Sequence, residues 1–238
     1  MRILRFLAAF LLVMGFSVPA QAAETADLGI IGQVELQKDT AYVSDGSVQH
    51  ISILKGIDLS VHPGVFQVRQ GHVVLSGRLM YTVLPPEWSR SMIPYFNVNL
   101  TPDQWQNLSE INMELYQPGS PLYGMVRQAA LSLAGENAAG GDSRFVIRDF
   151  EPLRRMSNTR EMIYTAGGRI SLESEGLSLP LYARLYFMLR GTEVCAVLLL
   201  SGDGGRYPLI YAADDFISAA APHLIVDTEQ KKSGSAPR

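Results

Sequence analysis

From Leu181 to Arg190 the chain alternates by twos. Leu181, Ala183, Leu185, Phe187 and Leu189 fall on one face, while Tyr182, Arg184, Tyr186, Met188 and Arg190 fall on the other. A period of two is the signature of a β-strand. Arg190, Gly191, Thr192 and Glu193 supply a polar turn, and the returning segment EVCAVLLL is apolar at both parities. A strand that is apolar on both sides has to be covered on both sides. The pattern therefore predicts an antiparallel hairpin whose second strand lies in the middle of a sheet. It also excludes a membrane-spanning helix here, because Arg184, Arg190 and Glu193 would each cost about 2.5–3.5 kcal/mol at its centre.

Other stretches are legible in the same way. Val73, Leu75, Leu79, Tyr81 and Val83 share one face of a strand, with Gly77 marking a bulge or a close approach of another backbone. Pro85 and Pro86 end it. Trp105, Leu108, Ile111 and Leu115 recur at helical spacing behind Thr101 as cap and Pro102 as first residue. A second helix runs from Ser120 to Gly135, and ENAAGGDS follows as a loop. Phe145, Ile147 and Phe150 predict a strand. MIYTAGGRISL predicts a hairpin turning at Ala166, Gly167 and Gly168. Leu209, Ala213, Phe216 and Ala220 predict a helix that begins between Pro208 and Ala213. The predicted fold class is α+β: a central antiparallel sheet covered by helices on both faces, an α/β/α sandwich.

The ends of the chain set its organisation. Arg2 and Arg5, an apolar run from Phe6 to Val18, and Ala20, Gln21 and Ala22 are the three parts of a secretory signal peptide, cleaved after Ala22. The expected division is residues 1–22 as signal peptide, 23–62 as an extended or short-strand arm, 63–226 as one α+β domain and 227–238 as a disordered tail. No Cys follows the apolar run to carry a lipid, so the mature product is expected to be exported without a transmembrane segment, to a periplasm or cell envelope. The formal net charge of −3 argues against nucleic acid as a partner. Cys195 is the one cysteine. In an exported chain that leaves stability to apolar burial, and its setting in EVCAVLLL assigns it to the core rather than to catalysis.

The order of parts resembles the PsbP-like α/β/α sandwich group. The residues carrying the resemblance are TVLPPEW at 82–88, the successive strands around MIYTAGGRI, LYARLYFML and EVCAVLLL, and the closing helix near ADDFISAA. That group includes extrinsic photosystem proteins and import-factor relatives that act mainly by binding other macromolecules. The resemblance implies a noncatalytic binding protein and transfers no residue role.

Motifs for chemistry are sparse. His50, His62, His72 and His223 lack the spacing of a metal site, and no cofactor is implied. AAGGDSR and SGDGGRYP lack the Gly-Lys-Ser/Thr ending of a phosphate loop, and neither a Gly-x-Ser-x-Gly elbow nor a Ser-x-x-Lys pair occurs. Asp214 and Asp215 are adjacent and would point about 100° apart on a helix, so they are expected to serve a helix N-terminus rather than to share a proton. Arg144, Arg148, Arg154, Arg155, Arg160, Arg169, Arg184 and Arg190 crowd one region without lysine. They read either as an anion-binding surface or as a sheet face with local ion pairs. On these grounds the first expectation is a noncatalytic binder of an unknown protein or envelope component through the strand face Tyr182, Arg184, Tyr186 and Arg190. The alternative is a carrier of an apolar or amphipathic molecule lined by Phe187, Met188, Met125 and Tyr123. A hydrolase with a distributed active site stands third.

Overall fold

The computed structural model describes residues 25–54, 57–96, 101–104, 106–107, 110, 144–156, 163–174 and 177–220. Ten strands and two helices are set out along them: β1 (Thr25–Asp27), β2 (Gln33–Glu35), β3 (Thr40–Ser44), β4 (Gln49–Leu54), β5 (Ile57–Gln70), β6 (Val73–Val83), α1 (Pro86–Met92), β7 (Arg144–Arg155), β8 (Tyr164–Ser174), β9 (Leu177–Arg190), β10 (Glu193–Gly202) and α2 (Arg206–Ala220). Eight of the strands form one antiparallel sheet in the order β3-β5-β6-β10-β9-β8-β7, with β4 also paired to β5. The short strands β1 and β2 pair separately.

Two hairpins form the middle of this sheet, β5–β6 and β9–β10, joined edge to edge through β6 and β10. Each turns in two residues, Gly71-His72 and Gly191-Thr192. The glycine stands first in both, at φ +60° and +58°. Glycine is needed there because the tight turn whose twist matches the strands requires a positive φ at its first position. β10 is central, as its two-sided apolar pattern predicts. Its odd residues Cys195, Val197 and Leu199 enter the main core, and its even residues Val194 and Ala196 enter a second cluster on the opposite face.

The main core lies under α2. Leu209, Ala213, Phe216 and Ile217 pack on Phe66, Leu79, Tyr81, Val197 and Leu199, and Ala26, Leu28, Ile31 and Val34 from the β1–β2 segment complete the cover. Part of the stretch expected as an extended or short-strand arm contributes to the core, and β5 runs continuously across position 62. On the other face, α1 brings Trp88 and Met92 beside Leu84, Phe96, Val194 and Ala196. Farther along that face, Leu59, Val61 and Met80 cluster with Leu198 and Leu200.

The α/β/α sandwich expected from the sequence is overturned: the described residues are mainly β, one large antiparallel sheet with few, short helices among them. The error has a physical source. An apolar strand pattern requires burial on both faces without specifying helices as the cover; among the described residues the face away from α2 carries the short α1, and there the apolar side chains of β5, β6 and β10 cluster side by side. The turn expected at Ala166–Gly168 is absent, since β8 runs straight from Tyr164 to Ser174. α2 begins at Arg206, before the expected window, and buries the expected face of Leu209, Ala213, Phe216 and Ala220. At Thr101 the expected cap is formed: Gln104 N donates to Thr101 Oγ1 (3.3 Å), and Thr101 N donates to Gln104 Oε1 (2.9 Å). The helix expected at Ser120–Gly135, the loop after it and the tail lie outside the described residues.

Candidate functional site

Polar residues of chemical interest converge where β7, β8 and β9 meet the flank of α2. The strand register explains why. Glu151, Gly167, Arg184, Leu199 and Leu79 form one cross-strand row. Gly167 carries no side chain, so Arg184 and Glu151 reach toward each other over an empty position on β8. Arg184 Nη1 donates to Glu151 Oε2 at 2.9 Å. A Cβ at Gly167 would stand 2.5 Å from Tyr182 Oη and 3.2 Å from the Ala183 carbonyl oxygen. The glycine that resembled a turn in the sequence is a gap kept open for two side chains.

Irregular pairing in β7 aims the acid. Its register to β8 shifts between Arg148 and Glu151 and again between Glu151 and Arg154. Asp149, at φ +45°, takes the left-handed conformation that aspartate tolerates better than most residues. Such bulges re-aim side chains. Here Glu151 accepts from Tyr182 Oη (2.8 Å) as well as from Arg184, and Asp149 accepts from Arg169 Nη1 (2.9 Å).

The third wall is α2. Tyr186 Oη donates to Asp214 Oδ1 at 2.7 Å, and Arg184 Nη2 lies 3.4 Å from Asp214 Oδ2. Arg184 therefore spans two carboxylates on two elements, and each carboxylate also accepts from a tyrosine. Burial lowers the affinity of Arg184 for its proton, but Asp214, Tyr186 and Tyr182 together outweigh this and hold its pKa above the ordinary arginine value. Burial, reinforced by Glu151, pushes the Tyr182 phenol up to about 12. Burial and then Asp214 push Tyr186 well above its ordinary value of 10.0. Both phenols remain protonated donors at any physiological pH.

At the N-terminal end of α2 the network continues outward. Asp203 Oδ1 accepts from Arg206 Nη1 (2.6 Å) and from Arg169 Nε (3.2 Å). The Arg206 guanidinium lies 5.9 Å from the Tyr182 ring centroid and 4.3 Å from that of Tyr207, and Nη2 donates to Tyr207 Oη at 2.8 Å. Tyr207 and Tyr211, one helical turn apart on the outer side of α2, are 57% and 66% exposed. They are the most exposed aromatic residues among the large apolar side chains of the described surface.

The sequence-derived binding face is thus brought together but turned inward. Tyr182, Arg184 and Tyr186 are 2%, 6% and 0% exposed. They lie beneath α2, because the strand face read as polar is the face that receives Asp214. Arg190 ends β9 opposite Glu193, and its side chain is outside the described ones. The carrier lining does not assemble: Met188 lies in the main core and Phe187 in the cluster on the other face of the sheet. Met125 and Tyr123 fall outside the described residues. Asp214 and Asp215 do diverge, but they sit well inside a helix that begins at Arg206, so neither serves its N-terminus. Cys195 is buried in the core. Among the described residues no group of three His, Cys, Asp or Glu is placed to hold a metal ion, and no helix is long and apolar enough to cross a membrane. Several crowded arginines are spent on local partners: Arg148 on Glu173, Arg155 on Tyr164 Oη, Arg169 on Asp149 and Asp203.

Sequence reasoning missed Glu151, Asp203, Arg206, Tyr207 and Tyr211. Only the two tyrosines left a signal, a spacing of four on the helix side opposite Leu209, Ala213 and Phe216. Comparisons of the chain with protein-family models, with curated proteins and with solved structures give no match.

Proposed function

We propose that this chain is an exported, noncatalytic protein that binds a macromolecular partner through the outer face of α2. Support for export is the basic, apolar and small-residue succession from Arg2 to Ala22. The observation that carries the binding assignment is the exposed pair Tyr207 and Tyr211 on a helix whose opposite side is fully engaged. Tyrosine and arginine are enriched where proteins bind one another. Tyr207 is also held in place by Arg206, itself fixed by Asp203, so little side-chain freedom is lost on docking.

The inner network supports the same assignment from the other side. Its acids, phenols and guanidinium are engaged with each other, an arrangement that fixes α2 on the sheet rather than one that holds a reacting group ready. The test is affinity capture from gently solubilised envelopes of the producing cell. The wild-type chain is expected to retain a partner that the Tyr207→Ala/Tyr211→Ala double variant loses, with its melting temperature preserved. Undiminished capture by a folded double variant would contradict the assignment.

A further inference from the structure

The outer stripe of α2 reads Tyr207, Tyr211, Asp215, Ala219, each four residues after the last. Rotated by a twofold axis through Tyr211, an antiparallel copy of the helix sets Tyr207 opposite Asp215, Tyr211 opposite Tyr211, and Asp215 opposite Tyr207. A surface that complements itself under such a rotation is what a symmetric dimer requires. We infer that the partner seated on this stripe is a second copy of the chain, paired through α2 against α2. The inference rests on the assignment of the stripe as an interface and names its occupant.

The chemistry across the axis repeats what the fold already uses inside. Twice a tyrosine donates to a carboxylate beside an arginine: Tyr186 to Asp214 at 2.7 Å and Tyr182 to Glu151 at 2.8 Å, both next to Arg184. The outer stripe supplies the same three groups. Tyr207 Oη accepts from Arg206 Nη2, which leaves its own proton free to donate. Asp215 is exposed and has no hydrogen bond or ion pair among the described residues. Placed against Tyr207 of the other copy, its carboxylate meets a phenol donor backed by the Arg206 charge. The stripe's ends favour close approach: Ala219 is small and exposed, and open space surrounds Gly204 before the helix.

Sedimentation equilibrium of the full exported chain tests this across a range of concentrations. The expected result is a reversible monomer–dimer equilibrium, weakened about tenfold by Tyr207→Phe and about tenfold by Asp215→Asn, and abolished by Tyr211→Arg. Tyr207→Phe deletes this hydrogen bond and Asp215→Asn weakens it by taking the charge from its acceptor, so the combined variant should dimerise no more weakly than Tyr207→Phe alone. A monomer at every concentration overturns the inference, as does a dimer indifferent to both single variants. These two substitutions are conservative and lie at exposed positions, so they stay informative even if Tyr211→Arg fails to fold. The two proposals fail separately. A chain that stays monomeric yet loses a captured partner on Tyr207→Ala/Tyr211→Ala keeps the interface and sinks the dimer. Capture and dimerisation both untouched by that double variant sink the interface itself.

Discussion

Arg184 is the residue on which the buried site turns, because its two terminal nitrogens go to different acids, Glu151 on β7 and Asp214 on α2. A lysine there would keep the charge but could not span both carboxylates. Arg184→Lys should therefore destabilise the fold by about 1.5–3 kcal/mol, the worth of a hydrogen bond to a charged group, measured by urea unfolding. Gly167→Ala should cost about 1–3 kcal/mol by overpacking against Tyr182 Oη. Tyr182→Phe removes that oxygen, so the double variant should be less damaged than the sum of the two singles. Strict additivity would show that the clash is not the cause. None of this geometry could be read locally. The alternation of Tyr182, Arg184 and Tyr186 located the strand face correctly, but the sign of its exposure depended on Glu151 and Asp214, 33 and 30 positions away. A mid-strand glycine pair also carries the same local signal as a turn.

At the scale of elements, α2 is the piece whose seating matters most. Apolar contacts of Leu209, Ala213, Phe216 and Ile217 hold it on one side, and Asp214 bonds to Tyr186 and Arg184 on the other. Asp214→Asn should loosen the helix locally, seen as faster amide exchange across Arg206–Ala220 with β5 and β6 still protected. The phenols set a direction with pH. Tyr182 and Tyr186 have folded pKa values raised above the ordinary 10.0, Tyr182 to about 12. The unfolded chain therefore loses these protons first. The Tyr182 contribution is complete below pH 10 and is lost as pH rises through about 12, and that of Tyr186 is lost in the same direction. Tyr182→Phe should flatten that loss in alkaline unfolding, and an unchanged slope would count against the phenol's role. The inward face of α2 and the β9–β10 hairpin were legible because each depends on a local period. The start of α2 at Arg206 was not, because the turn before it is set by Asp203 accepting from Arg206 and Arg169.

For the whole molecule, sequence alone indicated one antiparallel sheet with a central apolar strand, and the structure places β10 there. It did not indicate what lies over the sheet. Apolar residues carry no label that names the kind of element covering them, and Leu198 and Met80, on the face away from α2, cluster with residues of neighbouring strands. The outcome is a division of labour between the two sides of one helix. The inward side joins a core and a charge network centred on Arg184, while the outward side displays two tyrosines and Asp215. Site-specific photo-crosslinking in the producing cell, from a photoreactive residue at position 211 and from a control at exposed Val48, tests this most directly. A discrete adduct from position 211 and none from position 48 is the predicted result. No adduct from position 211, or the same adduct from both positions, would contradict the assignment of α2 as the recognition surface.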